Sequence, residues 1–396
     1  PPAPATLVVP GEGAADEELP ARASRIELWM PMSKPPGPPS PRSSAPIAEP
    51  IPDSAALDAV RGAGSTEALA RELARSAETR ADAATLFRSL LVTDPSRIEL
   101  YRELATAADA AQLHAVSAVA SVPLALAGLR AVPPSTSLVS DAATGRLAEG
   151  LADPALSPVL GILARLVENV ASLRQPLAQA GVLGTDRVAT RGAGLLARAL
   201  GVVGELRGIA DPPVFVARRP NVTLTILRSS PPAVLIAPDY GKDELELRFA
   251  LGRALELARP EHALVATLGD PEGQVLFSAV RAAFGPPDGT RPTREAAMLA
   301  NELFQMPMRV QRDVRELLAA SGTAFDWAGA RTGVLASAGR VGLVCAGDLR
   351  ASMLALRRIE GLPESVFGAP ERFQETLQRS ALLSDLLRFA LADAFV

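Results

Sequence analysis

The sequence contains little of the side-chain chemistry on which metal and redox sites depend. Cys345 is the only cysteine among 396 residues, which excludes a disulfide framework and a thiolate metal cluster and fits a reducing compartment. The only histidines, His114 and His262, are far apart in the chain, so a two-histidine metal site would need distant segments to meet. We therefore expect a cytoplasmic protein that carries no metal or other cofactor.

Aromatic residues and net charge are also scarce. Aromatic residues make up 4% of the chain and the formal net charge is -4, so there is neither a stacking platform nor a positive field for nucleic acid. No segment reaches the roughly 18 consecutive apolar residues typical of a membrane helix. The closest one, Ala115 to Leu129, is interrupted by Pro123. We expect neither nucleic-acid binding nor a membrane span.

Proline is concentrated at the start of the chain, where 14 of the 35 prolines fall within the first 60 residues. Proline fixes the backbone angle φ and removes an amide donor, so residues 1–53 are predicted to form an extended or disordered tail. One apolar cluster interrupts this tail and is a candidate docking motif, with a loosely packed linker element as the alternative. The cluster consists of Ile26, Leu28, Trp29 and Met30.

Residues 54–132 have helical spacing. Ser65 can cap a first helix, and a second helix ends where Asp94-Pro95 stops it. This segment resembles a tetratricopeptide repeat over about one and a half units, although an ordinary helical hairpin would have a similar pattern. The positions that carry the resemblance are Ala83, Leu86, Phe87, Leu90, Leu91, Asp94, Pro95 and Tyr101.

Residues 133–396 are predicted to form a mostly helical domain with a small sheet. Three short segments enriched in β-branched residues, within residues 211–238, indicate strands at Val214–Val216, Val222–Leu227 and Ala233–Ala237. Asp243 can cap a long helix over residues 243–258, which Pro260 ends. The fold class is therefore α+β and predominantly helical.

The order of these elements resembles the core of zinc peptidases, in which a sheet precedes a helix that bears HExxH. In that motif two histidines four residues apart bind zinc, and the glutamate activates a water molecule. In this sequence Arg253 and Leu257 stand at the histidine positions, Ala254 stands at the glutamate position, and Glu256 lies between. The resemblance thus implies a degenerate, pseudo-metallopeptidase core without catalytic residues.

Zinc peptidases of this type carry a further carboxylate ligand on a later helix, and Asp326 is the best candidate for that position. An ion pair between Arg253 and Asp326 could then replace the bridge that the metal would form. We state this as a hypothesis that the structure can test.

The chain as a whole resembles the C-terminal portion of large bacterial tetratricopeptide-repeat proteins. The resemblance implies no established reaction, and it implies scaffolding or protein recognition. We therefore predict a non-catalytic interaction module, with protein partners that could include a larger multi-subunit assembly, whose pseudo-peptidase cleft binds a peptide segment. The alternatives are a hydrolase with an unrecognised active site and a small-ligand sensor with an enclosed pocket beside Arg253.

Overall fold

The computed structural model describes residues 65–131, 153–218, 223–286, 289 and 291–392, all within one structural unit that spans Pro52–Val396. The predicted tail, the candidate docking motif and the predicted domain boundary at residue 132 lie outside the described residues. Of the helices in this part of the chain, none alone is long and apolar enough to cross a membrane. The segments Pro154–Asn169 and Ala171–Ala180 pass that test only as a pair and are bent by 98°.

The front of the described chain is a run of four helices in which neighbours in sequence pack against each other. Ser65 caps α1 by accepting a hydrogen bond from the amide of Ala68, and Tyr101 is buried and donates its hydroxyl to the carbonyl of Pro95. The predicted cap and the predicted stop at Asp94-Pro95 are therefore confirmed. The four helices are α1 (Thr66–Leu73), α2 (Arg80–Thr93), α3 (Ile98–Ala110) and α4 (His114–Leu126).

The rest of the described chain is also mainly helical, as predicted. The helices are α5 (Ser157–Asn169), α6 (Leu195–Leu206), α7 (Glu244–Leu257), α8 (Pro260–Thr267), α9 (Asp270–Phe284), α10 (Arg294–Leu303), α11 (Met308–Ser321), α12 (Trp327–Ala346), α13 (Leu349–Ile359), α14 (Pro370–Arg379) and α15 (Ala381–Leu391). Short 3-10 segments lie at Pro154–Leu156, Ala171–Leu173, Leu177–Ala180, Gly184–Asp186, Gly322–Ala324 and Glu364–Val366. The last helix, α15, packs against α2 and α4, so the two ends of the described chain share one core.

The centre of the core is the close contact between α7 and α12. A Cβ atom added to Gly252 of α7 would lie 2.7 Å from both Cβ and Sγ of Cys345, and one added to Gly342 of α12 would lie 2.8 Å from the carbonyl oxygen of Phe249. Glycine at these two positions therefore permits the two helices to approach each other. Helix α7 is also covered by α6 and α13, which leaves one face directed toward the sheet.

The sheet has three strands, β1 (Val214–Val216), β2 (Leu224–Leu227) and β3 (Ala233–Ile236), in the order β1-β3-β2. The central strand β3 is buried along its whole length and pairs parallel to β1 and antiparallel to β2. The predicted strands are confirmed; the third is one residue shorter than expected, and Val222, the predicted start of the second, lies outside the described residues. Strand β2 forms one edge of the sheet and contacts α7 and α8.

Candidate functional site

A cavity of about 940 Å³ opens between the edge strand β2 and helix α7, and we call it the β2 cleft. Residues 223–228 form one wall, and the Glu246, Arg253 and Leu257 side of α7 forms the floor. The loop at residues 239–243 and the end of α13 close the other sides. Two of the predicted degenerate positions, Arg253 and Leu257, therefore line the β2 cleft.

The sequence at the start of α7 determines which of its side chains line the floor of the cleft. Asp243 caps the helix by accepting hydrogen bonds at 2.9 Å from the amides of Leu245 and Glu246, which fixes where the first turn begins. Since residues three, four or seven apart lie on one face of a helix, Glu246, Arg253 and Leu257 share the face that lines the cleft. The opposite face packs into the core.

Arg253 is the unusual group on this floor. It is 7% exposed, its Nε atom is buried without a hydrogen-bond acceptor, and none of the hydrogen bonds or ion pairs formed among the described residues involves its guanidinium. Burial lowers the pKa of Arg253, and the nearby charges of Glu360 and Tyr240 offset part of that shift. Because a guanidinium stays protonated in proteins, Arg253 is a buried positive charge that faces the cleft.

Two other arginines line the cleft. Arg228, on the β2 side, lies in the field of Glu272 and its guanidinium has no hydrogen-bond or ion-pair partner among the described residues, whereas Arg358 is paired. Nη2 of Arg358, at the end of α13, lies 2.7 Å from Oε2 of Glu246, and the carboxylate is only 13% exposed. Tyr240 lies beside this pair, and burial raises the pKa of its hydroxyl, an effect that Arg358 and Arg253 partly offset. The Glu246–Arg358 pair is thus neutral overall and leaves the charge of Arg253 uncompensated.

The wall opposite the floor is a strand with an open edge. The amide of Ala237 donates to the carbonyl of Thr223 at 2.8 Å, so the alternation of an antiparallel pair turns the backbone groups of Thr225 toward β3. The amides and carbonyls of Leu224 and Ile226 consequently point away from β3, and no hydrogen bond among the described residues uses them. Strand β2 therefore has four backbone groups at its outer edge without a partner among the described residues; Leu224 is partly exposed and Ile226 is 7% exposed.

Two of the predicted site residues face away from the cleft. Ala254 is fully buried in the core, and Glu256 is 0% exposed on the far side of α7. Oε2 of Glu256 lies 2.6 Å from Nη2 of Arg207 on α6, and its Oε1 lies 3.4 Å from Nη1 of Arg259. The Nδ1 atom of His262 lies 2.9 Å from the carbonyl oxygen of Glu256. This cluster joins α6, α7 and α8, and it has no access to the cleft.

The hypothesis of an ion pair between Arg253 and Asp326 is wrong. Asp326 is the N-cap of α12, where Oδ1 accepts a hydrogen bond from the amide of Gly329 at 2.6 Å. It lines a separate cavity of about 780 Å³ together with Phe277 and Trp327. No ion pair among the described residues joins it to Arg253, because its local role at the start of α12 keeps it in that second cavity.

Sequence reasoning missed the wall of the cleft that β2 forms and the contribution of Arg358. The strand itself was predicted, but which of its edges stays open depends on the order β1-β3-β2, which no local pattern specifies. Arg358 is about a hundred positions from Glu246, so their pairing leaves no spacing signal in the sequence. The one available signal was the isolated charge of Arg253 within an apolar helical segment.

In the part of the chain that the structure describes, no three histidine, cysteine, aspartate or glutamate side chains are placed to hold a metal ion together. The resemblances to tetratricopeptide repeats and to zinc peptidases remain predictions, and the site is characterised here by its own geometry. Comparisons with protein-family models, with curated proteins and with solved structures find no match to this chain.

Proposed function

We propose that this chain is a non-catalytic protein-interaction module, and that the β2 cleft binds an extended peptide segment of a partner protein as an additional strand beside β2. The unpaired backbone groups of Leu224 and Ile226 are the observation that carries the proposal. An open sheet edge is a ready template for another strand, and many recognition domains bind peptides in this way.

The dimensions of the cleft fit such a segment. Strand β2 has four residues, which corresponds to about 13 Å at roughly 3.3 Å per residue, so about four residues of a peptide can pair with it. Side chains of an added strand would alternate between the α7 floor and the solvent. On the floor they would meet the apolar surface of Leu257 and Ala266 as well as Arg253. Backbone pairing would supply affinity, and the floor would supply selectivity.

Amide hydrogen exchange tests this proposal, because β2 contains its own control. In the free protein we expect faster exchange at Leu224 and Ile226 than at Thr225, whose backbone groups face β3. A peptide selected for binding from a random displayed library should slow exchange at Leu224 and Ile226 and leave Thr225 almost unchanged. Binding without protection at Leu224 and Ile226 would contradict strand addition.

A small-ligand sensor is a second candidate, and the cavity volume of about 940 Å³ favours it because small-molecule pockets are typically about 300–1,000 Å³. A ligand in this cavity would contact the Arg253 floor without pairing to the open edge. Thermal stabilisation by a compound that leaves exchange at Leu224 and Ile226 fast would favour this candidate over a peptide. Stoichiometric zinc in the purified protein would instead favour the hydrolase alternative.

A further inference from the structure

We propose that Arg253 is the receptor for a carboxylate on the segment that binds in the β2 cleft, so that the cleft selects peptides carrying an acidic group at one position. This inference rests on the proposed function, and it adds the chemical class of the group that the floor recognises.

The first argument is a comparison of buried arginines. The side chain of Arg207 is 5% exposed and contacts Glu256 at 2.6 Å. Arg357 is 8% exposed, donates to the carbonyl of Leu362 at 3.2 Å and lies 3.6 Å from Glu364. Arg253 is as deeply buried as these two and has no such partner among the described residues. Since a buried unpaired charge is costly, a carboxylate that arrives with the bound segment would supply the counterion that Arg253 lacks.

The second argument concerns the groups that face Arg253. Glu246, on the same side of α7, is held by Arg358 at 2.7 Å, so it is not available as a counterion. Glu360 raises the pKa of Arg253 through its field, but it lies beyond ion-pair distance and accepts a hydrogen bond from Ser380 at 2.7 Å. Arg253 is therefore the one cation on the α7 floor that has no ion-pair partner among the described residues.

The third argument concerns which anion fits. A guanidinium offers a planar fork of donors that matches the two oxygens of a carboxylate. On the α7 floor the single guanidinium of Arg253 matches the single charge of a carboxylate, whereas a phosphate group carries nearly two charges and is usually held by several donors. The geometry of the floor thus favours a carboxylate, from either an acidic side chain or the C-terminus of the segment.

The stability of the free protein provides the first test. Arg253→Met keeps the length of the side chain and removes the unpaired charge, so we expect it to raise the urea midpoint of unfolding. Arg207→Met removes a partner of the buried Glu256 and should lower that midpoint. A lower midpoint for Arg253→Met would assign Arg253 a structural role and overturn the inference.

Binding provides the second test, with peptides selected by the wild-type protein from a random displayed library. We expect Asp, Glu or a free C-terminus at one fixed position, and roughly 10- to 100-fold weaker binding to Arg253→Met, the range for hydrogen bonds to a charged group. Arg253→Lys should recover only part of this loss, because lysine lacks the planar fork. Arg379→Met, an exposed site on α14, is the matched control and should bind like wild type.

Peptide variants then identify the source of the carboxylate. C-terminal amidation should abolish the Arg253-dependent part of binding if the terminus is recognised, and Asp→Asn or Glu→Gln should do so if a side chain is recognised. A preference for phosphorylated residues over acidic ones would overturn the carboxylate assignment.

Acetate provides a readout that does not depend on any peptide. It should raise the unfolding temperature of wild type more than that of Arg253→Met, because a ligand that binds the folded state stabilises it. An equal effect of acetate on the unfolding temperatures of wild type and Arg253→Met would overturn the role of Arg253 alone. So would peptides that bind both proteins equally while slowing exchange at Leu224 and Ile226. Peptide binding that leaves those two amides unprotected would overturn strand addition alone.

Discussion

The buried carboxylate of Glu256 provides the sharpest test of what holds the helical core together. It is 0% exposed and lies 2.6 Å from Arg207, whose side chain is 5% exposed, so both charges have been removed from water. The substitution Glu256→Gln keeps the shape of the side chain and removes the charge, which leaves Arg207 buried without a counterion. Breaking one partner of a buried ion pair costs about 3–5 kcal/mol, and we expect a loss of that size in the free energy of unfolding.

The matched control is an exposed pair with the same chemistry and the same separation. Glu375 lies 2.6 Å from Arg379 on α14, but its side chain is 55% exposed. The substitution Glu375→Gln should cost less than about 1 kcal/mol, because exposed ion pairs are screened by solvent. Equilibrium unfolding in urea, followed by circular dichroism, measures both changes, provided that the slope with denaturant stays constant.

A double substitution separates the effect of charge pairing on stability from the effect of side-chain packing. Arg207→Met combined with Glu256→Leu removes both buried charges, and replacement of a buried pair by apolar residues is often nearly neutral. We therefore expect most of the stability to return, since Arg259 is 33% exposed and keeps Glu261 as a partner. Equal small losses for Glu256→Gln and Glu375→Gln, or no coupling between Arg207 and Glu256, would refute the reasoning.

Three further predictions concern the same core. Burial lowers the pKa of His262 in the folded protein, although the charge of Glu256 partly opposes this shift. Below about pH 6.5 the unfolded state therefore binds more protons than the folded state. The free energy of unfolding should fall as the pH drops through this value. The urea midpoint of unfolding, measured as a function of pH, should fall less in His262→Asn than in the wild type. In His114→Asn, a substitution at an exposed histidine, it should fall as much as in the wild type. Gly252→Ala should cost about 1–3 kcal/mol in thermal unfolding, because its Cβ would lie 2.7 Å from Cys345. Burial raises the pKa of Cys345 to about 12, so a thiol reagent should label it only after unfolding, and prompt labelling of the native protein would contradict this.

Much of the secondary structure around the cleft could be predicted because its signals are local. Asp243 has the side chain that an N-cap requires, and the helix it starts ends before Pro260, within about a residue of the predicted end. The strand Val214–Val216 was predicted with its observed bounds from its β-branched residues and its flanking prolines. Caps, proline stops and β-branched runs depend only on neighbouring residues, so the sequence is sufficient to locate them.

The arrangement of these elements could not be predicted in the same way, because it depends on contacts between residues that are distant in the chain. The prediction for Asp326 is an example. It was based on the order of elements in zinc peptidases, whereas the carboxylate of Asp326 accepts a hydrogen bond at the start of its own helix, α12. His262 is another, since its place just after the end of α7 gives no sign of its burial. It hydrogen-bonds a carbonyl near the end of α7, is 2% exposed and belongs to the Glu256 cluster.

Arg207, which contacts one face of α7, and Arg253, which projects from the opposite face, show how a structural charge can be distinguished from a functional one. Arg207 and Arg253 are buried to a similar degree, so desolvation costs them similar free energy. Arg207 is matched by Glu256, and removal of either group should destabilise the fold. Arg253 faces a cavity and has no partner in the part of the chain that the structure describes, so its removal should stabilise the fold and weaken binding. Opposite signs in these two stability measurements would therefore locate the functional face of α7 before any partner is known.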